Sequence, residues 1–432
     1  MTIKDHHGLA MTGASPLAAD HFRAAQHAYH CMAGDPLPLL QQAAEDSPGF
    51  VMGHALTAYF GLVGANAEAR AMAVSAYEAA RGLPCNDREA GHLAAVGHMV
   101  AGEYRAAGRI LEDVSIEHPR DALALQAGQL IDYLVGDSRM LRDRIARALP
   151  AWSEGMPDYH AVLGLLAFGL EESGQYARAE AAGRKAVALE PTNGWAQHAV
   201  AHVLEMQGRP AAGVAWMRAD TEAWSRNSFF QVHNWWHLAL FHLALGETGE
   251  VLSLSDGPIY GAASDMAFDM VDAASLLWRL RLKGVDVGDR WDVVADRFEA
   301  KAYGDYAFED MHAMMAFVGA GRRDAARALI EAQKAAIAGP GDNSMFTAEV
   351  GLPVVRGLWA FGEGRYGEAV ELLREVRNRS ARFGGSHAQR DAIDLTLIAA
   401  ARLAGQRSLE RALVTERAFA LPQPATLERL AA

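Results

Sequence analysis

A glycine returns at a constant distance along this chain of 432 residues, and that spacing restricts the fold more than any other feature. Three segments share the pattern Gly-x-Tyr-x-x-Ala: Gly102, Tyr104 and Ala107; Gly174, Tyr176 and Ala179; Gly364, Tyr366 and Ala369. In two of them a proline follows the glycine by 17 residues, as Pro119 and Pro191. Gly102 and Gly136 lie 34 residues apart, and so do Gly174 and Gly208. Each residue has a physical task. Glycine ends one helix and permits the reversal that follows. A small alanine lets the next helix approach closely. Proline cannot continue a helix and closes the unit.

A period of 34 is that of the tetratricopeptide repeat, a pair of antiparallel helices. Fainter copies sit near Gly246, Gly321 and Gly405, where the spacing stretches to 38 or more. Apolar residues follow helical spacing almost throughout; Val162, Leu165, Leu166 and Phe168 are one example. The expected fold is all-α, a tetratricopeptide-like α-solenoid of roughly nine to eleven helix pairs, strongly curved or closed on itself. It is read as a single helical-repeat domain over 1–432, with regular repeats about 88–250 and degenerate ones over 251–432. Breaks are expected at Ser253–Pro258, Gly284–Asp289 and Ala338–Asn343, where Gly, Pro, Asp and Asn cluster.

Composition removes several functions. Asp and Glu number 53 against 40 Lys and Arg, a net charge of −13, which opposes nucleic-acid binding. Only two cysteines, Cys31 and Cys85, are present, too few for a disulfide framework. The amino terminus shows no signal-peptide pattern, so a cytoplasmic location is expected. The charge-free run from Ser228 to Gly246 contains His233, Asn234, His237 and His242, costly groups in lipid, so it reads as a buried helix and not a membrane span. No nucleophile elbow and no phosphate loop occur.

Histidine is where the chain is unusual. Five of its 17 histidines (198, 202, 233, 237 and 242) fall within 45 residues, where a uniform spread would put about 1.8. Trp195, His198, His202 and Glu205 follow one another at spacings of 3, 4 and 3, so they share one helical face. His233, Trp236, His237 and Leu240 do the same on the next repeat, with Asn234 beside them. Convergent polar and aromatic groups of this kind mark a small-molecule pocket. They also serve as satisfied polar groups between close helices. His-x-x-x-His occurs twice, and two imidazoles one turn apart can chelate a divalent metal, zinc or iron. His198, His202, His233 and His237 are the candidate ligands. The remaining histidines near the amino terminus, His6, His7, His21 and His27, read as surface or local residues.

Further candidates lie downstream. Asp272 stands mid-helix among apolar residues, in line with Asp265 and Asp269. Glu309, Asp310 and His312 begin a helix, and His387, Arg390, Asp391 and Asp394 follow a Gly-Gly turn. Acids near helix starts often cap, and that role is expected for Asp265 and for Asp391. Met311, Met314 and Met315 read as core packing.

The segments HAVAHVLEMQGRPAAGVAWM (198–217) and HNWWHLALFHLALGE (233–247) resemble the tetratricopeptide repeat protein 38 family. The likeness continues in DAASLLWRLRLKGVDVGDRW (272–291), DMHAMMAFVGAGR (310–322) and GGSHAQRDAIDLTLI (384–398), and it begins with GLAMTGAS (8–15). The resemblance implies an all-helical repeat protein and assigns no reaction and no catalytic residue.

Two functions are compatible with these residues. One is a His-, Trp- and acid-lined concave pocket for a small polar molecule, with His202, Glu205 and His237 as acid/base or metal-assisted catalytic groups. Trp195, His198, His233, Asn234, Trp236, Asp272, Asp310, His312, His387 and Asp391 would then contact the ligand. The other is a non-catalytic scaffold that takes a peptide or protein partner in its groove. Neither involves nucleic acid or membrane, and the oligomeric state is open.

Overall fold

A computed structural model describes residues 3–63 and 67–421. Its first helices are α1 (Pro16–Cys31), α2 (Leu37–Asp46), α3 (Val51–Val63), α4 (Ala67–Ala80), α5 (Asp87–Val100) and α6 (Tyr104–Glu117). There follow α7 (Ala122–Leu134), α8 (Ser138–Ala148), α9 (Tyr159–Glu171), α10 (Tyr176–Leu189), α11 (Gly194–Met206) and α12 (Pro210–Arg218). Next come α13 (Thr221–Ser225), α14 (Gln231–Leu245), α15 (Thr248–Leu254), α16 (Ala267–Leu282), α17 (Arg290–Glu299) and α18 (Ala307–Ala320). The series ends with α19 (Arg323–Ala336), α20 (Asn343–Phe346), α21 (Leu352–Gly362), α22 (Tyr366–Val376), α23 (His387–Leu403) and α24 (Arg407–Ala420). Among the described residues the β structure is one antiparallel bridge between Lys4 and Ala10.

The fold is all-α and built of antiparallel helix pairs. The repeat residues do what their chemistry requires. Gly102 and Gly174 turn with φ of 77° and 73°, a left-handed conformation that residues with a Cβ avoid. Ala107, Ala179 and Ala369, on the second helices, are fully buried. Pro119 and Pro191 lie in the turns that follow α6 and α10. The Ser228–Gly246 run forms α14, and no helix among the described residues is long and apolar enough to cross a membrane.

Two compact units are distinguished, Met1–Val200 with Ala219–Asn234, and Ala201–Arg218 with Trp235–Ala432. The division falls inside α11 and inside α14. In the first unit α1 packs on α2, α3 on α4, α5 on α6, α7 on α8 and α9 on α10. Close approach depends on small residues: a Cβ on Gly169 of α9 would stand 2.3 Å from the Leu141 carbonyl oxygen of α8. Several charged groups inside this unit are paired. Arg144 grips the Asp132 carboxylate with two N–H groups at 2.7 and 2.8 Å. Arg88 and His92 both bind Asp121, at 2.7 and 2.9 Å.

Several of these ties join positions about one repeat apart. Tyr59 meets His92, Arg88 meets Asp121, Trp152 donates to the Pro119 carbonyl, and Asn193 meets His160. Each pair is 33 residues apart. Stacking of equivalent helices makes one position the neighbour of its counterpart in the next repeat.

In the second unit α16 packs on α17, α18 and α23, and α21 packs on α22. The Trp278 indole N–H donates to Thr396 Oγ1 at 2.8 Å, joining α16 to α23 across 118 residues. Met311, Met314 and Met315 are wholly buried, as packing residues should be.

The contact at Gly169 is testable. Gly169→Ala forces a Cβ against a backbone carbonyl that cannot rotate away, and should cost about 1–3 kcal/mol in urea denaturation. Gly367→Ala, on an open helical face with nothing within 4 Å of the new Cβ, should be neutral or stabilise by up to about 1 kcal/mol in the same measurement.

Candidate functional site

The histidine lines lie on α11 and α14. Within the first unit, His198 and His233 are buried, and their Nε2 atoms are 3.2 Å apart. Trp195, Phe168 and Phe230 pack around His198 with ring centroids 4.9–5.5 Å apart. That Nε2 separation suits a hydrogen bond, with one ring as donor and the other as acceptor. It also matches the roughly 3.3 Å between two nitrogens on a tetrahedral zinc. Asn234 donates from Nδ2 to the Gly194 carbonyl at 3.2 Å, so this buried amide ties the start of α14 to the start of α11.

One turn further along each helix, within the second unit, His202 and His237 meet edge to face at 4.4 Å. Both are fully buried. The Glu205 carboxylate accepts from His237 Nδ1–H at 3.2 Å. A carboxylate on Nδ1 sets the tautomer and leaves the lone pair on Nε2, the arrangement of a general base or a metal ligand. Trp236 lies edge-on to His237 and under the Arg279 guanidinium, 5.4 Å from its ring centre.

Glu205 also lines a cavity of about 230 Å³ that lies wholly in the second unit. Its apolar walls include Leu240, Leu243, Leu395 and Ile398. Its charged walls are Glu205 and Asp391 against Arg279, Lys283, Arg402 and Arg417. Two of these cations are neutralised. Arg417 grips Asp391 with two hydrogen bonds of 2.7 and 2.6 Å, and Arg402 reaches Glu410 at 2.6 Å. Burial works against the Arg417 charge, but Asp391 and Asp394 outweigh it and raise its proton affinity.

Arg279 and Lys283 differ. Arg279 is in the last turn of α16 and Lys283 is its C-cap residue, and among the described residues no carboxylate comes within ion-pair distance of either. Arg279 is buried and donates to the Ser275 and Ala388 carbonyls and to the Ser275 hydroxyl. Lys283 donates only to the Leu243 carbonyl, at 3.3 Å. Burial lowers the proton affinity of both; Arg417 repels Lys283 further. Sequence reasoning missed this pair. The available signal was three cations, Arg279, Arg281 and Lys283, in an otherwise apolar stretch, LLWRLRLKG, with Arg279 and Lys283 at i and i+4.

The other candidates are distributed as follows. Asp272 is fully buried on α16, two turns before Arg279, whose charge it helps to hold. Asp391 lines the cavity and does not cap: Ser386 caps α23, in a box with Gln389. Asp265 does not cap either, because α16 starts after Met266, whose N–H is taken by Ser264 Oγ at 3.1 Å. His387 is the first residue of α23 and does not line the cavity. His312 is enclosed in α18 with Nδ1 on the Phe308 carbonyl at 2.9 Å, and burial pushes its pKa down to about 3. Asp310 accepts from Gly304 N–H and Gln333 Nε2, a local tie outside the cavity. His6 and His7 are not merely local, since both reach Asp158, about 150 residues away.

No protein-family profile matches the chain. Among solved structures it is similar to yeast Tom70, at 10% identity over 86% of this chain and 85% of that one, with a TM-score of 0.42. A human IFIT1 dimer with m7Gppp-AAAA is similar at 15% identity over 96% and 95%, with a TM-score of 0.42. The tetratricopeptide domain of P58(IPK) matches at 14% identity over 90% and 99%, with a TM-score of 0.20.

Asp310 supplies a pH test. Burial raises its pKa from 3.8 to about 6, so between those values the folded chain holds a proton that the unfolded chain has lost. Stability from this group should therefore fall as pH rises from 4 to 6 and level off above, by at most about 3 kcal/mol. Urea denaturation across pH 4–7 should show that slope reduced in Asp310→Asn. A parallel profile for the two proteins would contradict it.

Proposed function

We propose that this is a tetratricopeptide repeat protein, close to the protein 38 family its motifs resemble, whose second unit binds a small carboxylate with an aliphatic body. The observation that carries this reading is the Arg279–Lys283 pair. Two cations line a partly apolar cavity and hydrogen-bond to carbonyls and a hydroxyl rather than to a carboxylate, while the neighbouring Arg417 and Arg402 already have carboxylate partners. Arg279 is buried, and keeping a cation there is costly unless an anion joins it; the exposed Lys283 adds a second positive charge at the rim. A ligand carboxylate supplies that charge, and Leu240, Leu243, Leu395 and Ile398 receive its carbon chain. His202 and His237 are fully buried and do not line this cavity, so no proton transfer with the ligand is assigned to them. The peptide-scaffold reading predicts a different ligand for the same cations, a chain-terminal carboxylate.

Thermal unfolding with a panel of C2–C8 mono- and dicarboxylates separates these readings. At least one acid should raise the melting temperature of the native protein by several degrees at concentrations well above its Kd. Lys283→Met, at a solvent-exposed position, should fold normally and lose at least tenfold in affinity; Arg279→Met should lose more. No shift from any acid, or an equal shift in Lys283→Met, would overturn the proposal. Stabilisation by a short peptide acid but not by its amide, with no response to the free acids, would establish the scaffold reading instead.

A further inference from the structure

The amino-terminal residues form a small hook within the first unit. Met11 N–H bonds the Ile3 carbonyl at 2.8 Å, and Asp5 N–H bonds the Leu9 carbonyl at 2.9 Å. Asp5 Oδ1 accepts from the N–H groups of His7 and Leu9, and Gly8 turns the tip with φ of 83°. The base of the hook is held on α5: Arg88 donates to the Ala10 carbonyl at 2.7 Å, and Thr12 N–H donates to Glu89 at 2.8 Å. The tip carries His6 and His7 to the start of α9.

There both imidazoles aim Nε2 at one oxygen, Asp158 Oδ2, at 2.7 Å from His6 and 3.1 Å from His7. One donor atom from each of the three residues falls within 4.8 Å of the other two. Asp158 occupies the N-cap position of α9, where an aspartate ordinarily bonds the first turn, yet its side chain makes no capping bond. Its carboxylate is turned to the hook instead, on a backbone with φ of 59°. The His7 and Asp158 side chains are 1% and 7% exposed and that of His6 is 23% exposed, so the cluster opens to solvent at His6. His7 packs edge to face on Trp152 at 4.8 Å. Its Nδ1 is buried without a hydrogen-bond partner, so nothing on that side of the ring requires Nε2 to carry the proton.

We propose that His6, His7 and Asp158 form a binding site for a divalent transition metal, which clamps the amino-terminal hook to the start of α9. Ligands about 2.1 Å from a metal and at right angles to one another stand about 3.0 Å apart, and the two measured separations, 2.7 and 3.1 Å, bracket that distance. Two imidazoles and one carboxylate on one face form the donor set that zinc and ferrous iron take, with the remaining positions toward the side that His6 leaves open. Without metal the same groups hold the hook by hydrogen bonds. On binding, each ring carries its proton on Nδ1 and presents the Nε2 lone pair.

The test is a metal titration of the full chain, prepared without a histidine tag and stripped by chelator. Cobalt(II), whose visible absorption reports nitrogen and oxygen ligation, is the spectroscopic probe; zinc binding is followed by competition with a chromophoric chelator. Native protein should bind one equivalent that His6→Gln/His7→Gln lacks, with an affinity loss of at least a hundredfold. Glutamine keeps a donor toward Asp158, so circular dichroism should confirm an intact fold. Asp158→Asn, nearly isosteric, provides an independent second variant. Metal uptake unchanged in both variants, or no uptake by the native chain at micromolar metal, would overturn the assignment.

Discussion

The stacking of one helix pair on the next is the constraint on which the rest of this protein depends. Each pair reverses at a glycine, as at Gly102 and Gly174, and closes on a small buried alanine, as at Ala107 and Ala179. With the pair length set near 34 residues, a side chain becomes the neighbour of the one about a repeat away. Arg88 with Asp121 and Asn193 with His160 are structural uses of that rule. His198 with His233 and His202 with His237 follow it at a separation of 35 residues.

Such stacking puts polar groups into an interior that penalises them unless they are matched. The first unit matches them inside the protein: Arg144 has Asp132, and Asp121 has both Arg88 and His92. In the second unit Arg417 has Asp391, whereas the buried Arg279 hydrogen-bonds to neutral oxygens. The same charge on the same kind of helix therefore has different consequences. A paired cation holds helices together, and one without a carboxylate is the basis of the proposed anion site.

The repeat turns, the close-packing alanines, the methionine core and the two histidine faces were legible in the residues, because each is set by spacing along one or two helices. The capping roles of Asp265 and Asp391 were misread. An acid near a helix start has two possible partners, the exposed N–H groups of its own first turn or a cation elsewhere. For Asp391 the partner is Arg417, 26 residues on, which no local pattern announces. Asp158 shows the same competition, its carboxylate drawn from the helix by two histidines about 150 residues earlier in the chain.

The sequence by itself determined that the chain forms helix pairs, where they turn, and which residues share a helical face, since these follow from backbone preference and from the 3.6-residue period. Only the tertiary structure decided which charges find partners. It drew Arg279 and Lys283, at the end of α16, together with Asp391 and Arg417 around one cavity, and His6 and His7 onto Asp158. Pairing of charges depends on distance in space, and helices far apart in the chain are brought to that distance by packing alone.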